Sequence, residues 1–364
     1  MPKTANTIAI VIVFLLTIFA LPLTAGADGG FSVTPAFPEN QNPDTTGFFD
    51  LRVSPGQQQE IAIEIENTGN EEASFQLSLF AVGTNMNGIV DYTAAGQMDQ
   101  TLPHLFTDIV SFPAATGQVT LPPGGKATVP IALNLPAEAF DGLMLGAVRV
   151  LRDITDSERE EGGMFINQFA HVIIVRLHQN DREIQTDFLL GDVRAENVAH
   201  RAAIVADIRN PMPRTAMGAT ANAQIYPAGQ DTAIFTIADM NVDFAPSSIF
   251  PMTMMDNAGY GIQPGDYLAR VQLSHEGRTW AFEQTFTVAA QQAAEINTAA
   301  VNQGQTQMAA GGSGAAMPTW MMLAIGAGAI LLLVAVAFIA RANKARRQEI
   351  AQLLEKIETE KKST

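Results

Sequence analysis

The sequence predicts an all-β protein made of two β-sandwich domains, and three observations lead to this prediction. A Pro-Gly turn precedes an alternating strand three times, in VSPGQQQEIAIEIEN, LPPGGKATVPIALNLP and IQPGDYLARVQL; proline presets the first turn position and glycine accepts the next. The strand pair IAIEIEN and ASFQLSLFAV is echoed in the second half by AIVADIRN and GATANAQIYPAG. No run between residues 30 and 290 shows convincing helical periodicity. Short strands joined by turns predict immunoglobulin-like sandwiches.

The strand after the first Pro-Gly turn shows how such a sheet is built. Successive side chains of a strand alternate between its two faces. The two faces carry Ile61, Ile63 and Ile65 on one side and Glu60, Glu64 and Glu66 on the other. The isoleucine face is therefore predicted to lie in a core, and the glutamate face to be wet.

The chain is predicted to divide into six segments. They are a signal peptide at 1–27, a first sandwich at 28–182, a second sandwich at 183–289, a flexible stalk at 290–316, a transmembrane helix at 317–340 and a basic cytoplasmic tail at 341–364. The polar stretch QNDREIQ joins the two sandwiches. The stalk is rich in Ala, Gln and Gly, a composition that cannot bury a core and favours a flexible linker.

Two apolar segments predict the topology. The first, at 8–19, follows Lys3 and precedes the small-residue site Ala25-Gly26-Ala27, as in a secretory signal peptide; an uncleaved anchor stays the alternative. The second, at 317–340, carries no charge and is long enough to span a bilayer. Basic residues follow it from Arg341, and the positive-inside rule then predicts a single-pass type I protein with its bulk outside the cell.

Charge and cysteine content narrow the class of protein further. The tail from Arg341 holds seven Lys and Arg against four Glu, and the signal peptide holds one Lys, so the net charge of −16 for the chain becomes −20 for the segment between them. A surface this acidic argues against nucleic acid as a partner. The chain has no cysteine, so two hydrophobic cores must provide its stability. The simplest prediction for such an exported protein is that it comes from a bacterium with a single membrane.

The sequence predicts no catalytic, cofactor or metal site, and the protein is not predicted to be an enzyme. His171 and His178 are seven apart on one predicted strand, so they face opposite sides and cannot share a metal. The stretch GTNMNGIVDY at 83–92 is somewhat like a calcium loop, but Gly83 and Ala94 stand where its first and last ligands belong. The favoured interpretation is a hairpin turn at Asn87-Gly88.

Two loops are the best candidates for contacts with partners. The first, DITDSEREEGG at 153–163, carries Glu158, Glu160 and Glu161; a merely solvated hairpin is the alternative. The second, at 93–117, is too long for a turn and too apolar for disorder. It carries Phe106 and Phe112, and its alternative role is to cap the end of the sandwich.

A succession of motifs is similar to the WxL-interacting protein family of Gram-positive bacteria. The motifs are FSVTPAFPENQ, GFFDLRVSPGQQQEIAIEIEN, TNMNGIVDY, FDGLMLGAVRV, FAHVIIVRL, IRNP, DFAPSSIFPM and IQPGDYLARVQL, followed by the apolar span and basic tail. The resemblance covers essentially the whole mature chain in the family's order. It implies a peptidoglycan-binding domain, then a host-binding domain, on one transmembrane helix.

The resemblance also implies partners and a role. They are WxL-domain surface proteins, peptidoglycan and host extracellular proteins, with residues 317–340 in the lipid bilayer of a Gram-positive cell. The implied role is a non-enzymatic, membrane-anchored adaptor at the cell surface. The alternative is a structural or assembly-aiding surface protein that offers a sandwich edge to a partner and binds no glycan. The acidity of this chain and its near absence of lysine depart from typical members of the family.

Overall fold

The computed structural model describes residues 29–113, 117–154, 158–159, 168–256 and 261–311. Within these ranges the strands form two sandwiches that follow one another along the chain. The predicted all-β architecture with two sandwiches is confirmed. The described helices are α1 (Phe106–Ile109) and α2 (Ala290–Gly311).

The first sandwich pairs a four-stranded sheet with a five-stranded sheet. The strands of this half are β1 (Phe31–Ala36), β2 (Phe49–Arg52), β3 (Gln58–Asn67), β4 (Ala73–Ala81), β5 (Gly83–Thr84), β6 (Val90–Asp91), β7 (Val110–Ser111), β8 (Gln118–Leu121), β9 (Lys126–Asn134), β10 (Leu143–Arg152) and β11 (Ala170–His178). The sheet orders are β1-β3-β9-β7 and β2-β11-β10-β4-β8, and β5 and β6 form a separate hairpin. The neighbours are antiparallel except β2 and β11, which run parallel.

The second sandwich pairs a three-stranded sheet with a four-stranded sheet. Its strands are β12 (Leu189–Val198), β13 (Arg201–Asn210), β14 (Ala216–Pro227), β15 (Phe235–Phe244), β16 (Ser248–Met255), β17 (Gly265–His275) and β18 (Arg278–Val288). The sheet orders are β12-β13-β16 and β15-β14-β17-β18. The chain passes from β15 at the edge of one sheet to β16 at the edge of the other, so the two edge strands are consecutive.

Two of the three predicted Pro-Gly turns form, and the third does not, because Gly265 has a φ of 149° and is the first residue of β17. Gly56 and Gly124 have φ of 69° and 68°, the left-handed conformation that favours glycine. In β3 all three isoleucines are buried, with Ile63 and Ile65 fully so. On the opposite face Lys126 Nζ lies 3.2 Å from Glu64 Oε1 and 3.0 Å from the Glu66 carboxylate.

Each sandwich has its own hydrophobic core. The first cluster includes Phe31, Phe49, Phe75, Ile63, Ile131 and Val175. The second includes Phe188, Phe244, Phe250, Ile204, Ile225 and Leu273. Burying a side chain of this size contributes about 1.5–3 kcal/mol to the free energy of unfolding. The two clusters therefore stabilise the sandwiches without any disulfide, since the chain has no cysteine.

The segment predicted to be a flexible stalk is helical in its described part, so the prediction is wrong for residues 290–311. Alanine has the highest helix propensity, and the first turns of α2 also find a place to pack. Ala293 and Ile296 are buried in the second core. Gln292 Nε2 donates a hydrogen bond of 3.1 Å to the Ala195 carbonyl. The second sandwich therefore extends past the predicted end at residue 289.

Several predicted segments lie outside the described residues. These are the signal peptide at 1–27, the end of the stalk at 312–316, the transmembrane helix at 317–340 and the tail at 341–364. In the part of the chain that is described, no helix combines the length and the apolar character needed to cross a membrane.

Candidate binding surfaces

The GTNMNGIVDY stretch is a β-hairpin, as the favoured interpretation predicts. Its strands β5 and β6 pair antiparallel, and the Gly88 amide donates to the Asn85 carbonyl at 2.9 Å. Gly88 has a φ of 72°, which is why glycine follows asparagine at this turn. The Asp91 carboxylate accepts hydrogen bonds from Thr93 at 2.6 and 2.8 Å, and these bonds tie the end of the hairpin to the chain that follows.

This hairpin belongs to the first half of the chain but contacts the second sandwich. The Asp243 amide of β15 donates to the Gly88 carbonyl at 2.8 Å. The Ala245 amide donates to Thr84 Oγ1 at 2.9 Å, and Ser248 Oγ lies 3.1 Å from the same hydroxyl. The approach is close, since a Cβ on Gly88 would lie 3.1 Å from the end of Met240. The hairpin therefore covers the place where β15 turns into β16.

The chain after the hairpin extends this contact along β16. The Ile249 amide donates to the Gln97 carbonyl, and the Asp99 amide donates to the Ser247 carbonyl, each at 2.8 Å. Met98 and Ser248 form an antiparallel bridge. Residues 97–99 thus act as a short added strand at the beginning of β16.

A buried ion pair lies beside this added strand. Arg209 grips the Asp99 carboxylate with two hydrogen bonds of 2.6 and 2.9 Å, and the Asp99 side chain has no exposed surface. Burial by itself raises the pKa of Asp99, but hydrogen bonds from Arg209 and Thr101 outweigh it and hold the pKa below its ordinary value. The sequence did not identify this pair, because 110 residues separate its members and neither belongs to a motif.

A groove lies between β15 and β16, next to the tip of the β5–β6 hairpin. We call it the β15–β16 groove. Its volume is about 620 Å³. Apolar residues that line it include Met86, Ile234, Ile237, Met240 and Met255, while Met254 is buried in the second core. Ile234 is 48% exposed, so apolar side chains of the groove are open to solvent beside polar residues such as Asn87 and Thr236. A concave surface that combines apolar and polar groups is typical of a binding site.

A second cleft, of about 410 Å³, is lined by the first sandwich, by the joint that follows β11 and by residues 213–215 between β13 and β14. It contains Asp50, which is buried, and Asn42 Nδ2 donates to Asp50 Oδ2 at 2.9 Å. Arg176 and His178 approach the same carboxylate at 3.6 Å each. Asp50 Oδ1 has no hydrogen-bond partner among the described residues. The Asp50 side chain is only 4% exposed, whereas that of Arg176 is 41% exposed, so the cleft presents a guanidinium group to a polar ligand.

Phe106 lies in the first core, so the prediction that it contacts a partner is wrong. It is 1% exposed and begins the short helix α1, whose Ile109 is buried beside it. The strands on either side of the 93–117 loop leave the end of the core open, and an apolar ring gains more by filling it than by facing water. Phe112 is partly buried against the same core. The alternative role, capping the end of the sandwich, is the one the structure shows for Phe106.

Replacing Gly146 with alanine tests this role for Phe106. A Cβ on Gly146 would lie 2.3 Å from the Phe106 ring, closer than any ordinary contact. We expect Gly146→Ala to lower the free energy of unfolding of the first sandwich by about 1–3 kcal/mol, the usual cost of overpacking. Adding Phe106→Leu should recover part of that loss, because it makes room for the methyl group. Urea unfolding of both variants checks this expectation. If Gly146→Ala were as stable as the unchanged chain, the Phe106 ring could not lie against Gly146.

Of the three predicted acidic contacts, only Glu158 lies within the described residues. Its carboxylate forms an ion pair with Arg152 at the end of β10, and the Glu158 side chain is 38% exposed. Glu160 and Glu161 lie outside the described residues. A role for the three glutamates in binding a partner stays a prediction.

Two β-sandwiches that carry open grooves on their surfaces are typical of a protein that binds ligands. Nowhere in the described ranges do three His, Asp or Glu side chains gather as a metal site would require. The family model of the WxL Interacting Protein peptidoglycan binding domain matches residues 31–152, and that of the WxL Interacting Protein host binding domain matches residues 160–298. The chain belongs to the WxL-interacting protein family. Strand β11 falls in the second match although it pairs within the first sandwich.

Several solved structures match the chain at low sequence identity and low TM-score. The Pseudomonas aeruginosa CupB2 chaperone is 12% identical with a TM-score of 0.24, over 62% of this chain and 91% of its own. The YadV chaperone is 12% identical with a TM-score of 0.25, over 71% and 100%. A PapD-like domain of human CEP192 is 17% identical with a TM-score of 0.26, over 44% and 93%. No curated protein matches the chain.

Proposed function

We propose that this protein is a non-enzymatic adaptor of the bacterial cell surface that binds WxL-domain proteins and peptidoglycan. The observation that carries the proposal is the match of both halves of the chain, in order, to the peptidoglycan-binding and host-binding domains of the WxL-interacting family. A domain for the wall and a domain for other ligands, in one chain, are what an adaptor needs.

The contacts between the sandwiches support this role. The hairpin and residues 97–99 bond to the second sandwich through backbone groups, and the buried pair of Asp99 and Arg209 locks the same junction. Ligands held by the two domains are then kept at a defined separation instead of at the ends of a loose linker.

The proposed location is the membrane of a Gram-positive bacterium. Residues 317–340 carry no charge and are followed by a basic segment, which suits a single span with its C-terminus inside. The −20 charge of the segment outside favours partners with basic patches. Host extracellular proteins are the proposed further ligands of the second domain.

Co-precipitation with a WxL-domain protein from the same organism tests the adaptor role. We expect the full chain to retain that protein at low salt and to retain less of it at high salt, because exposed charges are screened. Changing Glu158, Glu160 and Glu161 to glutamine should remove most of that salt dependence if those acids contribute. Glu60→Gln, on the wet face of β3, is the matched control and should change nothing. No retention of any WxL protein at any salt would contradict the proposal.

Sedimentation with insoluble peptidoglycan separates the adaptor from the alternative. An adaptor should pellet with the purified wall polymer. A surface protein that only offers a sandwich edge to a partner should stay in the supernatant while still retaining the WxL protein.

A further inference from the structure

The outer edge of β16 has backbone groups that point away from its own sheet. Alternate residues of an antiparallel strand turn their amides toward the partner strand, and the residues between turn theirs away. The amide of Asp256 donates to the carbonyl of Ala202 in β13, whereas the amide of Ile249 donates outward to the carbonyl of Gln97. The outward positions of β16 are therefore the odd ones: 249, 251, 253 and 255.

The first half of this outer edge is already paired within the chain. Residues 97–99 bond to Ser247 and Ile249. The pairing ends before Pro251, which has no amide hydrogen to give, and proline in a sheet occurs at such edge positions. Beyond Pro251, the amides of Thr253 and Met255 find no backbone acceptor among the described residues. The edge thus continues, unpaired, from an interface that the chain itself has built.

The unpaired part of the edge faces the β15–β16 groove. Thr253 and Met255 line it from β16, Met240 lines it from β15, and Ile234 lines it from the residue before β15. An extended segment paired with β16 would place every second side chain in this apolar space, because side chains of a strand alternate. Free main-chain groups on a strand edge, next to a groove that takes alternate side chains, are the features of a site for strand addition.

The charges select among extended segments. Among the described residues that line the groove, the charged one is Asp256, whose carboxylate accepts a hydrogen bond from the Gly261 amide at 2.6 Å and keeps its negative charge. Asp239 is exposed on the neighbouring strand β15. The fitting segment therefore alternates apolar with polar residues and carries lysine or arginine at its ends. A second acidic copy of this chain fits the same charges less well.

We propose that the second sandwich takes up an extended, basic-flanked segment of a protein partner as an added strand on the outer edge of β16 beyond Pro251. The added strand continues the line begun by residues 97–99, and its apolar side chains fill the β15–β16 groove. The inference goes beyond the adaptor role, because it rests on the edge and the groove and does not depend on which protein supplies the segment.

Hydrogen–deuterium exchange of the full chain with the blocked peptide Lys-Val-Thr-Val-Thr-Val-Lys as probe tests the proposal. At saturating peptide, we expect exchange over residues 252–256 to slow by about tenfold, because the outward amides become bonded. Residues 265–275 of β17, which lie away from the groove, should not change. Unchanged exchange over 252–256 at millimolar peptide, or protection elsewhere only, overturns the proposal.

Thr253 supplies a pair of variants that isolate the backbone bond. Thr253→Pro removes the outward amide hydrogen without touching the bonds to β13, and Pro251 shows that β16 accepts proline at an outward position. We expect it to weaken the peptide by about tenfold. Thr253→Val keeps the amide and frees the Pro251 carbonyl, which now accepts from Thr253 Oγ1 at 2.9 Å, so it should bind at least as tightly. Equal binding by both variants overturns the proposal.

A second pair keeps the test valid if Thr253→Pro does not fold. Ile234→Asp places a charge in the groove at a side chain that is 48% exposed, and Met217→Asp places the same charge at one that is 56% exposed on β14. Both should fold, because neither side chain is buried. Only Ile234→Asp should lose peptide binding, and equal loss in both contradicts the proposed position. The peptide assay uses no WxL protein, so failure here and failure of the adaptor role remain separate results.

Discussion

Replacing Ile63 with aspartate is expected to destabilise the first sandwich by about 4 kcal/mol or more. Ile63 has no exposed surface and lies between Ile61 and Ile65 on the buried face of β3. The change removes an apolar side chain from the core and introduces a carboxylate with no partner, and both effects act in the same direction. Since a domain of this size has about 5–15 kcal/mol of stability in all, a large part of it would be lost.

Glu60→Asp is the control for this prediction. It introduces no new charge, and Glu60 is exposed on the wet face of the same strand. Urea unfolding followed by circular dichroism compares the two variants with the unchanged chain. If Ile63→Asp and the unchanged chain unfolded at similar urea concentrations, Ile63 could not be buried in the first core.

Replacing Arg209 with leucine is expected to open the junction between the sandwiches at a cost of about 3 kcal/mol. The change leaves the fully buried Asp99 carboxylate without the two hydrogen bonds that Arg209 gives it. An unpaired buried charge costs far more than an exposed one. The amides of Ile249 and Asp99 bond across this junction, so their hydrogen exchange should become about a hundredfold faster.

The double variant Asp99→Asn with Arg209→Leu separates charge from packing. It should recover much of the lost protection, because no carboxylate is left buried. Recovery no better than that of Arg209→Leu alone would show that the pair acts through shape and not through charge.

The pH dependence of the junction follows from the same pair. In the unchanged chain the pKa of Asp99 lies below its ordinary value of 3.8. The stability that Asp99 contributes is therefore present above that value and is lost as pH falls through the lowered pKa. In Arg209→Leu the hydrogen bonds and charge of Arg209 no longer oppose the effect of burial, so the pKa of Asp99 rises above its value in the unchanged chain. The deficit relative to the unchanged chain should therefore shrink as pH falls through the pKa that Asp99 has in the variant. A deficit that is constant between pH 3 and pH 7 would contradict this account.

Local patterns determined much of the architecture. The alternation in β3 and the Pro-Gly turn at Gly56 act within a few residues, so the sequence predicts them without any knowledge of distant contacts. The hairpin at Asn87-Gly88 is local in the same way. The succession of such elements was enough to predict two sandwiches and to indicate the WxL-interacting family.

The stalk and Phe106 were predicted wrongly for one shared reason. The composition of a segment predicts its behaviour when it is surrounded by water, but both of these segments pack against a hydrophobic core. Ile296 of α2 entered the second core, and the Phe106 ring filled the space beside Gly146. Neither space exists until strands distant in the chain have come together.

The sequence by itself determined the fold class, the acidic exterior and the family, because strand alternation, turn chemistry and net charge are properties of neighbouring residues or of the whole chain. Only the tertiary structure decided where the sandwiches join and which edge stays open. Asp99 and Arg209 are 110 residues apart, and the groove lies between strands of two different sheets. Such sites depend on which distant segments meet, and no periodicity or spacing in the sequence records that.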